Sequence, residues 1–440
     1  MHDYIEELLA RGEVRVVDRE VDPEFELAAV IEKSMQESEK PILFKNVAGS
    51  SFPVVSNVYG SHRRLCELIG TEIGHFCERW TELTDARNDD VPRYRGAVVD
   101  DAETIDGKLS ELPHIQYFER DVAPYITAGV FLANEPDSGT PNLSFCRSMM
   151  VSDDELRVRL APPHDLAHYQ AKAEARDEAL EVAILLGPPP EVFLAACASV
   201  PIDANEMVLA EQLRGGPINL RQCKTIDLAV PVETEIVIEG RILPHKRRPE
   251  APFGEFLGYY VGEMQSHVFE ITNVSWRPGA VFHALLCGYP EDLRCLEIAF
   301  ASRAYRHLVK SLPGILDVSC FPTPLNTIVR INKQSEDHVA QVMAKTYESH
   351  PGYNKICIVV DEDVNIHDFN DVWWAVVTRC RVDQKIEILH DVPGFYRDEA
   401  DVHTGRLGID ATKPIGRENL LERKRIGWTK EIDLRRYLHE

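Results

Sequence analysis

The residues best suited to chemistry in this chain of 440 residues lie between positions 250 and 260. Glu250 and Glu255 stand there among proline, glycine and the aromatic residues Phe253, Phe256 and Tyr259. Such neighbours shield a carboxyl group from water, and a shielded carboxyl group exchanges protons near neutral pH because its pKa is raised. The segment predicts a general acid or base, with an acidic turn between two strands as the alternative.

A second segment combines an amide with a guanidinium group, at Asn142 and Arg147. If the segment is a strand, their odd spacing places the two side chains on opposite faces, where they serve different sites. Arg147 is suited to bind a substrate carboxylate or to pair with a catalytic glutamate through two parallel hydrogen bonds. A structural or surface ion pair is the alternative for this arginine.

Two histidines at helical spacing form a third candidate site. His164 and His168 would share one face of a helix, as in the His-Glu-x-x-His pattern of zinc proteases. Asp165 takes the place of the glutamate here, and prolines 162 and 163 suit a turn or a helix start. A protease is therefore disfavoured against a solvated pair of helix histidines. The sequence also lacks a glycine-rich phosphate loop, a Gly-x-Ser-x-Gly elbow and a dinucleotide fingerprint.

A mixed α and β fold must position these residues. Apolar spacing predicts helices over residues 3–11 and 24–37, and short strands near 41–44 and 53–55. Alternating segments separated by glycine or proline then predict a largely antiparallel sheet or barrel between residues 125 and 290. The strands expected in that sheet span residues 126–132, 180–186, 226–230, 235–239, 267–276 and 281–286.

A long helix is expected after the barrel. Apolar residues recur at helical spacing from Leu293 to Leu312, and Pro313 with Gly314 ends the pattern. Beyond it, residues 356–360 predict a buried strand and residues 372–377 the core of a helix.

Composition excludes several classes of function. Lys and Arg total 48 against 72 for Asp and Glu, so the net charge of −24 disfavours binding to nucleic acid or to an anionic membrane. No apolar run reaches the length of a membrane span, and the N-terminus resembles no secretion signal, so we expect a cytoplasmic protein. Ten cysteines without a Cys-x-x-Cys pair predict buried, reduced thiols.

Together these segments resemble the UbiD family of decarboxylases, which use prenylated FMN. The family motif Glu-x-Pro-[Phe/Tyr]-Gly-[Glu/Asp]-x-x-Gly-Tyr is matched by residues 250–259, and residues 206–215 are similar to the segment that ends in Leu-Arg-Gly. Further similarity lies in residues 230–240 and in the C-terminal runs 360–364, 373–379 and 407–412. The chain departs from the pattern at Ala251, where glycine is common, and at Gln222 and Arg406, where lysine is expected.

The resemblance implies a fold of α+β class in four parts: an N-terminal α/β region, a central split β-barrel that binds flavin, a connecting helix and a C-terminal α/β oligomerisation domain. The implied boundaries are residues 1–110, 111–290, 291–313 and 314–440.

The resemblance also implies the site residues. Arg147, Glu250 and Glu255 match the catalytic arginine and two acids of the family. Asn142, His164 and Glu206 match the ligands of a divalent metal, usually manganese, that bridges to the cofactor phosphate; K⁺ is a further expected ion. The implied cofactor-binding residues are Asn142, Ser144, Phe145, Cys146, Arg147, His164 and Glu206.

The implied activity is reversible, non-oxidative decarboxylation of an aromatic or heteroaromatic, α,β-unsaturated acid. Loss of CO₂ from such a carbon leaves electrons that a cofactor must accept, and Glu255 is the expected proton donor. By analogy, residues 283–298 line the substrate pocket, and aromatic acids are favoured over acrylic-type acids by a small margin. The apolar walls expected there are Leu285, Leu286, Tyr289 and Leu293, with His283 and Arg294 as polar contacts.

The implied partners are a UbiX-type flavin prenyltransferase, which supplies the cofactor, and further copies of the chain in a homodimer or larger assembly. Two alternatives stay open at this point: a flavin reductase-like oxidoreductase and a non-catalytic subunit of a multi-component carboxylase.

Overall fold

The computed structural model describes residues 1–85, 94–99, 103–162, 164–395, 397, 400–424, 426–427, 432–433 and 436–437. The helices are α1 His2–Ala10, α2 Glu26–Glu37, α3 His62–Leu68, α4 Phe76–Asp85, α5 Asp165–Glu174, α6 Pro190–Ala195, α7 Glu206–Arg214, α8 Pro290–Ser311, α9 His338–Ser349 and α10 Phe369–Arg379. The strands are β1 Arg15–Val17, β2 Ile42–Phe44, β3 Val54–Ser56, β4 Ile105–Gly107, β5 Tyr125–Ile126, β6 Val130–Asn134, β7 Pro141–Phe145, β8 Ser148–Ser152, β9 Glu155–Val158, β10 Leu180–Leu186, β11 Leu220–Gln222, β12 Ala229–Pro231, β13 Ile236–Glu250, β14 Phe253–Gly254, β15 Tyr260–Val261, β16 Met264–Trp276, β17 Phe282–His283, β18 Ile315–Ser319, β19 Asn326–Ile331, β20 Ile356–Asp361, β21 Ile386–Leu389 and β22 Arg406–Ala411.

The chain divides into two compact units. Unit 1 comprises residues 1–306 and 320–324, and unit 2 comprises residues 307–319 and 325–440. None of the helices in the described part of the chain is both long and apolar enough to cross a bilayer. The ten cysteines are all free thiols, and most of them are buried.

A curled antiparallel sheet of nine strands forms the centre of unit 1. Its order is β5-β8-β9-β16-β13-β10-β6-β7, and β4 also pairs with β16. The long strands β13 and β16 shift register at Glu239/Gly240, where a side chain on Gly240 would collide with the carbonyl oxygen of Glu270. Such bulges bend a strand and increase its twist, which lets the sheet curl around its core. The predicted antiparallel barrel and the α+β class are confirmed.

A smaller sheet of unit 1 has the order β1-β2-β3-β17. One continuous hydrophobic core joins it to the large sheet, with Leu27 and Ile31 of α2, Phe44, Phe131 and Phe269 among the fully buried side chains. Burial of such side chains is the main stabilising term for a domain of this size.

Local sequence explains the bounds of the helices that matter for the site. Asn205 caps α7, because its side chain accepts the backbone N–H of Met207 at 2.9 Å, and Gly215 ends that helix with a positive φ of 71°. Helix α8 begins at Pro290, a residue suited to a first helical position, and ends before Pro313. The helix expected over Leu293–Leu312 is therefore present.

Three expected strands differ from the prediction: residues 126–132 are interrupted between β5 and β6, and two other strands are shorter than expected. Within residues 226–230, only the last two residues belong to a strand, β12. The N–H of Asp227 donates to the Glu181 carboxylate instead of to a neighbouring strand. Within residues 281–286 only Phe282 and His283 form a strand, because the N–H of Leu285 donates to the hydroxyl of Thr127. Side chains compete here with the backbone for the same donors.

Unit 2 is an α/β layer around a sheet of order β18-β19-β20-β22-β21. The pairs β19–β20 and β20–β22 are parallel, while both edge pairs are antiparallel. The expected strand at residues 356–360 is the central strand β20, and its buried run of apolar residues is typical of parallel strands covered on both faces. Helix α10 packs against β22 and contains the helix core expected at residues 372–377.

A buried ion-pair network in unit 2 predicts sensitivity to acid. Burial alone raises the pKa of Asp363, but hydrogen bonds from Arg379 and Lys413 outweigh it and lower that pKa to about 2. A carboxylate with a depressed pKa stabilises the fold above its unfolded pKa and loses that contribution as the pH falls through the folded value. The shift corresponds to roughly 2 kcal/mol, which solvent screening reduces to about 1 kcal/mol.

The variant Asp363→Asn tests this assignment by urea denaturation at several pH values. At pH 7 it is expected to lower the free energy of unfolding by about 1 kcal/mol, and the difference from wild type should shrink between pH 4 and pH 2. A difference that stays constant over this pH range would contradict the assignment.

Candidate active site

Arg147, Glu250 and Glu255 meet in one buried cluster. The Nε and Nη2 atoms of Arg147 donate to the two carboxylate oxygens of Glu250, each at 3.0 Å. The Nη1 atom of the same guanidinium donates to Glu255. One arginine thus holds both acids of the segment, and we call these three residues the acid–arginine cluster.

The large sheet brings these residues together. Arg147 directly precedes β8 and Glu250 is the last residue of β13, with β9 and β16 between these two strands in the sheet order. Glu250 pairs in register with Met264, the first residue of β16. The Met264 sulfur lies 3.6 Å from Nη2 of Arg147. The cluster therefore occupies the place where β13 ends and β16 begins.

Glu250 accepts four hydrogen bonds in all. Besides the two from Arg147, its oxygens accept the hydroxyl of Tyr125 at 3.0 Å and the hydroxyl of Ser266 at 3.2 Å. Its side chain is completely buried, whereas that of Glu255 keeps 13% of its surface exposed. Glu250 is therefore fixed as an acceptor, and Glu255 is the more accessible acid.

The charge of Arg147 is strongly held. Burial alone lowers the pKa of this guanidinium, but its hydrogen bonds and the charges of Glu250 and Glu255 raise the pKa above its ordinary value. The ring of Phe253 lies 4.9 Å from the guanidinium carbon and adds a cation–π contact. Phe253 is buried as predicted, but Tyr259 is 78% exposed and shields neither acid.

Tyr125 and Ser266 were missed by the sequence analysis. Tyr125 lies in a strand of only two residues, and Ser266 is one of several polar residues in β16, so neither has a spacing signature. For Ser266 a signal existed in the strand register, because it lies two residues beyond the partner of Glu250 and hence on the same face of the sheet.

The Tyr125→Phe variant measures what the tyrosine contributes. A hydrogen bond to a charged group is worth about 1.5 to 3 kcal/mol, so kcat of the reaction that the resemblance implies should fall by about 10- to 100-fold if it depends on the position of Glu250. Flavin content and Tm are the companion measurements. Full activity with unchanged Tm would show that the other three donors suffice.

Asn142 and Glu206 form a second cluster. The amide Nδ2 of Asn142 donates to Glu206 at 3.1 Å, and the hydroxyl of Ser144 donates to Asn142 Oδ1 at 2.6 Å. The other carboxylate oxygen of Glu206 is buried without a hydrogen-bond partner. Burial, together with the nearby charge of Asp165, raises the pKa of Glu206 to about 8. A buried carboxylate oxygen without a partner is suited to a cation.

His164 stands apart from this pair. It is the exposed N-cap residue of α5, in an extended conformation, so it precedes the helix that was expected to carry it together with His168. Among the described residues, no hydrogen bond or ion pair joins the His164 ring to Asn142 or Glu206. The same part of the chain contains no group of three His, Cys, Asp or Glu side chains arranged to hold a metal ion. Pro163, which was expected at this helix start, lies outside the described residues.

Phe145 and Cys146 complete the expected cofactor segment. The ring of Phe145 packs edge-on against Phe193, with 4.9 Å between the ring centres. Burial raises the pKa of the Cys146 thiol to about 12, so this cysteine stays protonated and is no nucleophile.

The three departures from the family pattern differ in their surroundings. Ala251 has a positive φ of 79°, a region that favours glycine, so its replacement of glycine strains the backbone beside Glu250. Arg406 is buried and donates to backbone carbonyl groups that include those of Gly405 and Pro393. Gln222 is exposed at the end of β11.

The polar residues expected in the substrate pocket are bound to other side chains. His283 is fully buried and its Nε2 lies 3.0 Å from Glu291. Arg294 pairs with Glu297, and its guanidinium carbon lies 3.8 Å from the ring centre of Phe321. The apolar walls Leu285, Leu286 and Leu293 are buried, and the hydroxyl of Tyr289 donates to Glu32 at 2.8 Å.

Comparison with known proteins shows which family this chain is similar to. The central family model matched is the 3-octaprenyl-4-hydroxybenzoate carboxy-lyase Rift-related domain, over residues 91–290. The N-terminal and C-terminal domain models of the same carboxy-lyase match residues 5–84 and 296–411. An anhydromevalonate phosphate decarboxylase of Methanothermobacter thermautotrophicus is 32% identical over 93% of this chain and 96% of its own length.

The chain belongs to the UbiD family. It is thus a member of a family of carboxy-lyases, as the sequence predicted. A second anhydromevalonate phosphate decarboxylase, from Methanosarcina mazei, is 31% identical over 96% of this chain and 98% of its own length.

Solved UbiD-class structures share the whole fold. HmfF from Pelotomaculum thermopropionicum in complex with FMN superposes with a TM-score of 0.91 at 30% identity, over 99% of both chains. An evolved dimeric form of that enzyme in complex with prFMN gives 0.88. The vanillic acid decarboxylase of Sedimentibacter hydroxybenzoicus in its open form gives 0.84 at 27% identity, over 98% of this chain and 96% of the other.

Proposed function

We propose that this UbiD protein catalyses the reversible, non-oxidative decarboxylation of an α,β-unsaturated carboxylic acid of aromatic or heteroaromatic type, with prenylated FMN as cofactor. The observation that carries the proposal is the acid–arginine cluster: a permanently charged guanidinium bound to two carboxyl groups of unequal exposure. A bidentate guanidinium recognises a substrate carboxylate, and an accessible acid next to it is placed to deliver a proton.

Each residue of the cluster has a separate task in this proposal. Arg147 orients the substrate carboxylate and loses contact with it when neutral CO₂ leaves. Glu250, with four donors directed at it, keeps the guanidinium in place. Glu255 carries a proton on its carboxyl group and transfers it to the carbon that lost CO₂. Catalysis in the carboxylation direction uses Glu255 as the base, since proton transfer is reversible.

The proposal of a flavin cofactor rests on the related structures, and the proposal of a metal ion rests on the Asn142–Glu206 pair. The flavin found in the related structures supplies the electron-accepting ring that such a decarboxylation needs. The unpartnered oxygen of Glu206 fits a divalent cation such as manganese, and the amide oxygen of Asn142, which accepts the Ser144 hydroxyl, would join it once the amide turns. His164 would complete the set once its exposed ring turns towards the pair, and K⁺ is a further expected ion.

The substrate class rests on the apolar character of residues 283–298. Leu285, Leu286 and Leu293 offer apolar walls, which suit a flat ring. His283 and Arg294 are already paired with acids, so the proposal assigns them no contact with substrate. The alternative of a non-catalytic subunit is disfavoured, since the side chains to which the proposal assigns catalysis are present and in contact.

A homodimer or larger assembly is expected as well, because a structural relative exists in a dimeric form. Size-exclusion chromatography with light scattering measures the state of this chain directly.

The function is tested with protein produced together with a UbiX-type flavin prenyltransferase. CO₂ release and exchange of the substrate hydrogen for deuterium are measured against furan, pyrrole, indole, benzoic and cinnamic acids and against anhydromevalonate phosphate. Turnover of a ring acid that requires prenylated FMN supports the proposal. Turnover of anhydromevalonate phosphate alone would keep the reaction and overturn the substrate class. If prenylated FMN fails to bind, the non-catalytic alternative is favoured.

A further inference from the structure

A buried aspartate outside the acid–arginine cluster holds the segment that contains Glu255. Asp121 is 3% exposed, and among the described residues no cation forms an ion pair with it. A buried carboxylate outside an ion pair is costly unless hydrogen bonds and a nearby charge, here that of Arg147, compensate it. Asp121 has no part in the proposed reaction, so another role must account for its burial.

The hydrogen bonds of Asp121 point to main-chain donors. Its Oδ1 accepts the backbone N–H of Gly254 at 2.9 Å, and its Oδ2 accepts the backbone N–H of Phe118 at 3.1 Å. Hydrogen bonds from an N–H to a charged acceptor are about twice as strong as neutral ones. Gly254 is the residue directly before Glu255, so Asp121 fixes the backbone from which the Glu255 side chain starts.

Glu255 lies in a small hairpin whose base is held by the same segment. Gly254 pairs with Tyr260, and the Glu255 N–H donates to the carbonyl of Tyr259 at 3.0 Å. The backbone N–H of Arg120 donates to the hydroxyl of Tyr260 at 3.3 Å, and the Arg120 guanidinium carbon lies 4.9 Å from that ring. Residues 116–121, which we call the support segment, therefore bind both strands of the hairpin.

Close packing leaves little room for movement at this point. A side-chain carbon on Gly254 would lie 2.4 Å from the Phe118 ring, so the two segments are already in contact. Gln116 closes the support segment on itself, because its Nε2 donates to the Asp121 carbonyl at 2.6 Å. The support segment is thus a compact turn seated against the glycine that precedes Glu255.

We propose that Asp121 is a positioning residue, which acts through Gly254 to keep the Glu255 carboxyl group within reach of Arg147 and of the reacting carbon. This inference rests on the proposed function of Glu255. A misplacement of a reacting group by about 1 Å costs on the order of 100-fold in rate, and loss of a supporting hydrogen bond behind a site residue costs about 10- to 100-fold.

The test compares Asp121→Asn with Glu239→Gln in the protein loaded with prenylated FMN. The asparagine keeps the size of the side chain but offers one acceptor oxygen, so an NH₂ group faces one of the backbone N–H groups. Glu239 is a matched control, because it is fully buried and also accepts two backbone N–H groups, from Lys224 and Thr225, at 3.1 and 2.8 Å. Both variants remove charge from a buried backbone acceptor, but only one lies beside Glu255.

The first readout is hydrogen–deuterium exchange of the peptide that covers residues 251–259, which requires no activity. D121N is expected to accelerate this exchange at least tenfold, and E239Q to leave it unchanged. The second readout is kcat, expected to fall about 10- to 100-fold in D121N with KM within threefold and flavin content unchanged. The double variant D121N/E255Q should be no slower than E255Q alone, because both changes act on one proton transfer.

Several results would overturn the assignment: wild-type exchange in D121N, full activity, or losses that add in the double variant. If D121N does not fold, D121E keeps the charge, lengthens the side chain and is held to the same three expectations. If wild-type protein turns over no acid, the proposed function is wrong and the positioning role in catalysis falls with it, even where faster exchange in D121N shows that Asp121 holds the hairpin.

Discussion

Arg147→Lys is expected to lower kcat/KM by about 100- to 1,000-fold, the cost of removing one well-placed donor from an active site. Lysine keeps the positive charge but lacks the planar fork that reaches both oxygens of Glu250 and one oxygen of Glu255 at the same time. Either Glu250 or Glu255 then loses its partner, and the substrate carboxylate loses the contact that the proposed function assigns to Arg147. The loss is measured as steady-state CO₂ release with matched flavin content.

A second buried arginine provides the control. Arg379 in unit 2 donates to Asp361 at 2.8 Å and to both oxygens of Asp363 at 2.9 and 2.8 Å, with 1% of its side chain exposed. Arg379→Lys therefore breaks the same kind of buried fork, and its Tm should fall as far as that of Arg147→Lys. Its kcat/KM should stay within threefold of wild type. Equal losses of activity in both variants would mean that Arg147 serves stability alone.

Sequence periodicity predicted the helices and strands better than it predicted which segments form hydrogen bonds with each other. The helix α8 and the strand β20 follow from uninterrupted patterns of apolar residues that end at a clear stop, such as Pro313 after α8. The segment that contains β12 does not form the full predicted strand, because the backbone N–H of Asp227 donates to Glu181, which is remote in sequence. Such competition depends on tertiary contacts, so it cannot be predicted from a short segment of the sequence.

In the candidate site, too, the residues that lie in motifs were predicted, whereas those that depend on tertiary contacts were not. Arg147, Glu250 and Glu255 were found because they lie in motifs, although 103 residues separate Arg147 from Glu250. Asp121 and Tyr125 were not found, because each acts as a single polar side chain whose partner is set by the register and curl of the large sheet. Of the three residues expected to hold a metal, Asn142 and Glu206 are in contact, whereas His164 directly precedes the helix that was expected to carry it.

The second large effect is expected for Glu255→Gln. General acid catalysis by a positioned carboxyl group contributes about 100- to 10,000-fold, so kcat should fall by that factor. An amide has nearly the same shape and still accepts a hydrogen bond from Arg147, but it has no acidic proton to give. KM and flavin content should therefore change little. Exchange of the substrate hydrogen for deuterium should be lost together with turnover, because both need the same proton transfer.

Glu263→Gln is the matched control for this change. Glu263 is an exposed acid two residues beyond the hairpin strand β15, so its substitution removes the same charge from the same stretch of chain without touching Arg147. Its kcat should remain within twofold of wild type. If Glu255→Gln kept more than a tenth of the wild-type kcat, another group would have to supply the proton. Tyr125, whose hydroxyl donates to Glu250 and whose pKa is raised by burial, would then be the next residue to replace, since it is in contact with the acid–arginine cluster.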